Sequence, residues 1–225
     1  MHRLAIYDLD RTITRIPTWT PFLIHTARAR APWRLALMPL GMVLAAGYLL
    51  RLMSRGRLKE RMHRLMLGTR LAPATIDDIA RDFAGWMVPG RIHPRAVQRI
   101  EADRRAGYRI VIATASYRFY VEALARRLGI VDVIGTEAVV DASGAILPKI
   151  LGANCYGEAK LAMVEAWLAG EGIARDAAHI RFYSDHVSDA PTLAWADEAY
   201  AVNAHPPLAA LATARGWPQL DWQAR

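Results

Sequence analysis

An almost unbroken apolar run, RLAIYDL at 3–9, opens the chain and ends among two aspartates, Asp8 and Asp10. A run of this length fits a short strand buried on both faces, with chemistry at its end. From about residue 17 to 86 the apolar spacing turns helical, in long stretches broken at Pro32, Pro39, Gly56 and Pro73. After Pro89 and Gly90 the rhythm changes again. Residues 91–106 suit a helix, and the β-branched run at 108–113 (YRIVIA) suits a central strand. The pattern then predicts a helix at 119–128, a strand at 131–134, and a hairpin across 138–147 that turns at 141–144. It continues with a helix at 157–169, a strand at 180–183, a helix at 189–196 and a strand at 200–202. Strands alternating with helices predict an α/β fold, a parallel sheet with helices on both faces. The helical block at 14–86 reads as an insertion after the first strand, leaving a core of 1–13 and 87–225.

Charge sharpens that division. The net charge is +8, and residues 14–85 hold twelve Lys or Arg against four acids, Glu60, Asp77, Asp78 and Asp82. The insert carries the whole excess and the remainder balances. A basic module suggests a surface facing anions: phosphorylated substrate, acidic lipid headgroups or nucleic acid. A solvated helical face in an Arg-rich composition is the plainer reading. Nucleic acid is disfavoured, because the basic residues sit among long aliphatics rather than in a polar stripe with exposed aromatics. An apolar fraction of 53% excludes disorder, and 225 residues suffice for one α/β core with a small accessory domain. The single cysteine, Cys155, can form no internal disulfide, and no secretory pattern opens the chain, so a cytoplasmic location is expected.

In parallel α/β sheets, ligands sit beyond the carboxyl ends of the strands. Four groups fall at such ends: Asp8 with Asp10, Thr114, Lys160 at the start of its helix, and Asp185 with Asp189. Carboxylates gathered beside one lysine repel each other unless a cation joins them, and a hard divalent ion with oxygen ligands resolves that repulsion. Blander readings exist: a strand-end cap for Asp8, an ordinary strand-end hydrogen bonder for Thr114, a helix N-cap for Asp189, a solvated lysine for Lys160.

Asp8-Leu-Asp10-Arg-Thr12 resembles the DxDxT motif of the haloacid dehalogenase superfamily. Thr114 resembles its second motif, Lys160 in Gly-Glu-Ala-Lys its third, and Ser-Asp185-His-Val-Ser-Asp189 its acidic fourth. One DxD is a weak signal; four motifs in order, across 1–13 and 86–205, are a strong one. The resemblance implies a Rossmann-like core and a phosphomonoester hydrolase. Asp8 would form an aspartyl-phosphate, and Asp10 would protonate the leaving oxygen and later deprotonate water. Thr114, the backbone at Ala115 and Lys160 would bind the phosphoryl group. Mg²⁺ would be held by Asp8, the carbonyl of Asp10, and Asp185, with Asp189 orienting that shell. Arg11 and His186 stand where the family usually has small residues; either could touch substrate, and an outward-facing side chain is the plainer expectation for both; Ser184 replaces the usual glycine.

The insert is similar to the helical cap of the phosphoserine-phosphatase-like subfamily IB, which chooses the leaving group. Phosphoserine phosphatases carry a glutamate nine residues after the nucleophile; here that position is Pro17, and residues 12–22 hold no acid. Residues 35–50 (LALMPLGMVLAAGYLL) are uncharged and flanked by Trp33, Arg34, Arg51, Arg55 and Arg57. Two expectations stand: the buried helix of the cap, or a shallow membrane-facing element. The pattern is similar to bacterial phosphatidylglycerophosphatases of the C type, which implies a lipid-type substrate and peripheral contact with an anionic membrane. A soluble phosphoserine-like metabolite is the alternative substrate. A catalytically idle membrane- or partner-binding module on the same fold is the alternative from another class.

Overall fold

A computed structural model of the chain describes residues 1–223. Strands β1 (His2–Tyr7), β2 (Arg109–Tyr117), β3 (Asp132–Val140), β4 (Ile146–Leu151), β5 (Ala178–Ser184), β6 (Glu198–Val202) and β7 (Gln219–Leu220) form one sheet in the order β4-β3-β2-β1-β5-β6-β7. All neighbours run parallel except β3 and β4, which form the antiparallel hairpin expected at 138–147. β1 therefore lies at the centre, flanked by β2 and β5. Its alternate residues serve two cores: Ala5 and Tyr7 pack on one face of the sheet, Leu4 and Ile6 on the other. Burial on both faces is why the run lacks polar alternation.

Helices α1 (Trp19–Arg30), α2 (Met38–Leu49), α3 (Arg55–Leu67) and α4 (Pro73–Arg91) follow β1, with a tight turn at Pro32–Leu37 before α2. α4 is kinked at its end, where Pro89 leaves the helical conformation and Gly90 takes φ 83°. Then come α5 (Pro94–Arg105), α6 (Arg118–Arg127), α7 (Glu158–Gly170), α8 (Ala190–Trp195) and α9 (Pro206–Arg215). Residue 92 is not helical as the periodicity of 91–106 predicts, because Ile92 bridges Thr14 in extended form and Pro94 opens the helix.

The sequence pattern is outrun in three places. β1 ends at Tyr7, because Thr14 N reaches back to Leu9 O (3.0 Å) and curls Leu9–Ile13 into a wide turn. β3 extends to Val140, well beyond residue 134. The C-terminal α9 and β7 were not predicted.

The apolar run at 35–50 is not a single helix, and it is not buried. It divides at Leu37, and within α2 only Gly41 is buried, where it meets the side chains of Met62 and Leu65 on α3. Pro32–Leu49 has a mean hydropathy of 1.2 with 6% of it buried. α2 spans only about 18 Å at the usual helical rise, short of a bilayer's hydrocarbon core. The buried-helix expectation is thus overturned: α2 lies against α3 along the side that carries Gly41, with Leu44 and Tyr48 half-buried, and leaves Met42, Val43 and Leu49 exposed.

Candidate active site

The acids and the lysine converge at the carboxyl ends of β1 and β5. Asp8 leaves β1 with its amide donating to Tyr183 O (2.9 Å), which ties it to the neighbouring strand. Lys160, 2% exposed on the first turn of α7, donates from Nζ to Asp8 Oδ1 (2.7 Å) and to Asp189 Oδ2 (2.6 Å). Ser184 Oγ also donates to Asp189 Oδ2 (2.7 Å), while Asp189 Oδ1 is buried with no partner among the described residues. Asp10 is held from two sides: Thr18 N donates to Oδ1 (2.8 Å) and Ser116 Oγ to Oδ2 (3.2 Å). The main-chain carbonyl of Asp185 accepts from His205, from its amide at 3.2 Å and its Nδ1 at 3.0 Å.

A cavity of about 260 Å³ is lined by Asp8, Asp10, Ala115, Lys160, Asp185 and Asp189, with Arg55, Tyr156 and Ser188. Arg11 and His186 also line it; Arg11 is exposed there, as an outward-facing side chain would be, while His186 is half-buried. The turn after β1 puts Arg11 at φ 61°, and His186 is stacked on His205 with centroids 4.2 Å apart. Thr114 is fully buried and absent from the cavity wall; its hydroxyl accepts from Ser116 N (3.1 Å), shaping the loop that carries Ala115.

Burial dominates the electrostatics. It pushes the Asp8 carboxyl well above the usual carboxylate range, with the charges of Asp189, Asp185 and Asp10 adding to the shift and Lys160 opposing it. The same desolvation, then Asp189, raises Asp185 to about 7. For Lys160 burial works the other way, but the charges of Asp189 and Asp8 outweigh it and hold the ammonium. Such a set favours an added cation. The orphaned Asp189 Oδ1 and the two raised carboxyls suit a hard cation beside Lys160. Among the described residues no three His, Cys, Asp or Glu side chains form a ready-made metal cluster. A cation here would draw on two carboxylates and a main-chain carbonyl. That is the sparse protein ligation typical of Mg²⁺, which keeps several waters.

Three features of the site had no signal in the sequence. Lys59 of α3 is buried and donates to Ala115 O (2.5 Å) and Asn154 Oδ1 (2.9 Å), with Nζ over the Tyr117 ring at 4.4 Å. Burial, then the nearby Arg55 charge, lowers it to about 7. Thr18 and Ser116, whose hydroxyls lie 2.9 Å apart, fix Asp10. A second chamber of about 370 Å³ opens from the first, sharing Asp10, Pro17, Arg55 and Ala115; its own walls include Trp19, Ala45, Tyr48, Leu58, Lys59 and Met62. Among the described residues, Asp10 is the only carboxylate in that lining.

Residues 5–194 match the family model described as haloacid dehalogenase-like hydrolase. A histidinol-phosphatase of Neisseria meningitidis serogroup C is 25% identical over 99% of this chain and 100% of its own. A crystal structure of a Bordetella pertussis Tohama I protein of unknown function superposes with a TM-score of 0.87 at 28% identity, covering 99% of both chains. A phosphoserine phosphatase carrying an analogue of the phospho-aspartyl intermediate shares the fold, with a TM-score of 0.60 at 14% identity over 99% of this chain and 94% of that one.

Proposed function

This chain belongs to the haloacid dehalogenase-like hydrolase family, and we propose that it is a phosphomonoesterase working through an aspartyl-phosphate on Asp8. The observation that carries this reading is the single ammonium of Lys160 shared between Asp8 and Asp189, at the end of the central strand. Lys160 engages Oδ1, so attack on phosphorus falls to Asp8 Oδ2. As that bond forms, the ester P–O bond breaks and the leaving oxygen takes a proton from Asp10. Water then attacks the phosphorus, returns a proton to Asp10 and displaces the Asp8 carboxylate, releasing phosphate. Lys160 and the backbone following Thr114 neutralise and orient the phosphoryl oxygens. Asp8, the Asp10 carbonyl and Asp185 would hold Mg²⁺, which supplies further positive charge to the phosphoryl group.

The insert acts as the cap, at 14–86, and its chamber selects the leaving group. No acid occurs from residue 11 to 59, and the chamber's own wall mixes apolar side chains with Lys59 and Arg55. A leaving group with an apolar part and a second anionic group fits such a wall. We therefore favour a phospholipid-type phosphomonoester, such as phosphatidylglycerophosphate, reached at an anionic membrane surface. The full-length match to a histidinol-phosphatase favours a second reading, a small soluble phosphate ester. Its cationic leaving group would find only Asp10 as a counter-charge in that chamber.

Both readings are checked on one set of assays with Mg²⁺. Asp8→Asn should retain less than about a hundredth of wild-type p-nitrophenyl phosphate turnover, and acid-quenched wild type should carry labelled phosphate. Appreciable turnover by Asp8→Asn removes the nucleophile assignment. Lipid phosphomonoester in mixed micelles should then outrun histidinol phosphate and phosphoserine, and the reverse order selects the soluble substrate.

A further inference from the structure

We infer that the outer groove between α2 and α3 is a seat for the headgroup of an anionic phospholipid in a bilayer, separate from the catalytic cavity. This rests on the membrane-facing reading of the insert and gives it a specific contact. The groove has a volume of about 300 Å³ and is lined by Leu40, Leu44 and Leu65 together with Arg34, Arg61 and Arg64. It shares no lining residue with either chamber of the catalytic site. Arg34 is partly engaged, donating to Leu65 O (2.8 Å) at the end of α3. Arg61 and Arg64 are exposed and have no ion-pair partner among the described residues. Glu60, the acid beside them in sequence, is committed to the Ile150 amide of β4 at 2.8 Å.

Three guanidinium groups with no carboxylate in the wall, set among leucines, match an anion that is bonded to an apolar chain. The surroundings choose the bilayer over a soluble anion. Met42, Val43 and Leu49 of α2 are 66%, 65% and 78% exposed, and Trp33, Leu50 and Leu52 continue that surface. A soluble phosphate would leave all of this apolar area in water, whereas an interfacial helix buries it while its arginines reach the headgroups. The position also has a use. Ala45 and Tyr48 of the same helix line the second chamber, so a seated α2 places the leaving-group chamber at the lipid interface.

Flotation of the full chain with phosphatidylcholine vesicles, with and without phosphatidylglycerol, tests the inference. Wild type should float with the phosphatidylglycerol vesicles at low salt and dissociate as salt rises. Arg61→Ala with Arg64→Ala should lower partitioning about twenty-five-fold, each basic side chain at an anionic surface contributing roughly fivefold. Arg105→Ala with Arg126→Ala, exposed positions on the core, removes the same charge and should lower it less than about twofold. p-Nitrophenyl phosphate turnover should be unchanged in both variants. Wild type that ignores anionic vesicles overturns the inference, and so does an equal loss in the control pair. Self-association that Arg61→Ala with Arg64→Ala abolishes would assign the face to a second copy instead. Vesicle binding that depends on these arginines in a chain hydrolysing no phosphomonoester would sink the enzyme reading alone, leaving the lipid seat in place.

Discussion

The hydroxyl of Tyr7 donates to Asp103 Oδ2 at 2.6 Å, tying the residue before Asp8 to a fully buried acid on α5. Tyr183 donates to the same oxygen at 2.8 Å, and its ring is stacked on Tyr7 with centroids 4.3 Å apart. Since Asp8 N also bonds Tyr183 O, Asp103 clasps β1 and β5 where Asp8 and Asp185 leave the sheet.

Asp103 also accepts from Arg181 Nη1 at 2.7 Å, so its removal would take the acceptor from both tyrosine hydroxyls, leaving Tyr183 with the bond it accepts from Arg99 and Arg181 with its pair to Glu198. Asp103→Ala should therefore destabilise by about 3–5 kcal/mol, and Tyr7→Phe by about 1 kcal/mol. Urea denaturation of the two variants checks this. Near-equal small losses would mean that the sheet, not the acid, fixes the strand ends.

His63 predicts a pH dependence of stability. It is fully buried on α3 beside Trp19 and Tyr117, and neither ring nitrogen has a partner among the described residues. Burial lowers its pKa from 6.5 to about 4. Between those values the unfolded chain binds a proton that the folded chain refuses, so stability falls as pH drops from 6.5 to 4 and is unaffected above that window. His63→Phe should abolish a loss on the order of 3 kcal/mol across the window. Parallel acid-denaturation curves for wild type and variant would show that some other group controls the acid limb.

Much of this arrangement was legible in sequence because it rests on local pattern. β1 and β2 announce themselves as apolar runs, since strands buried on both faces need no alternation. Asp8, Asp10, Lys160 and Asp185 follow from their positions at strand or helix ends. What escaped depends on distant partners. Lys59 is buried because it meets Ala115 and Asn154, far away in the chain, and nothing around it in sequence marks that. β7 is two residues long and exists only by pairing with Ala201 and Val202. Hydropathy found the run at 35–50 but could not assign it to the inside, because an apolar helix looks the same whether protein or something else covers it.

The exposure of that run makes its own prediction. Met42→Asp with Leu49→Asp should lower stability in water by only about 1 kcal/mol, the sum of two unfavourable helix propensities. Charges placed in a packed interior would cost several times more. A thermal melt in buffer, without lipid, distinguishes the cases. Collapse of the fold would show that α2 is covered in solution.

Asp10 gives the test that separates proton transfer from nucleophilic attack. Its two oxygens are held by different donors, Thr18 N on Oδ1 and Ser116 Oγ on Oδ2. An asparagine can keep the first of these through its own carbonyl oxygen, so Asp10→Asn should preserve the shape of the turn while removing the exchangeable proton. The consequence then depends on the leaving group. An alkoxide is too basic to depart unprotonated, and turnover of an alkyl phosphate should fall by about 10²-fold or more. p-Nitrophenolate leaves without help, so the first step on that ester should slow by less than about tenfold, with the phospho-enzyme accumulating because water attack has also lost its base. Single-turnover burst kinetics on both esters measure this. Equal loss on the two, with no burst on the aryl ester, would leave Asp10 as a structural partner of Thr18 and Ser116 and would require another acid in the cavity.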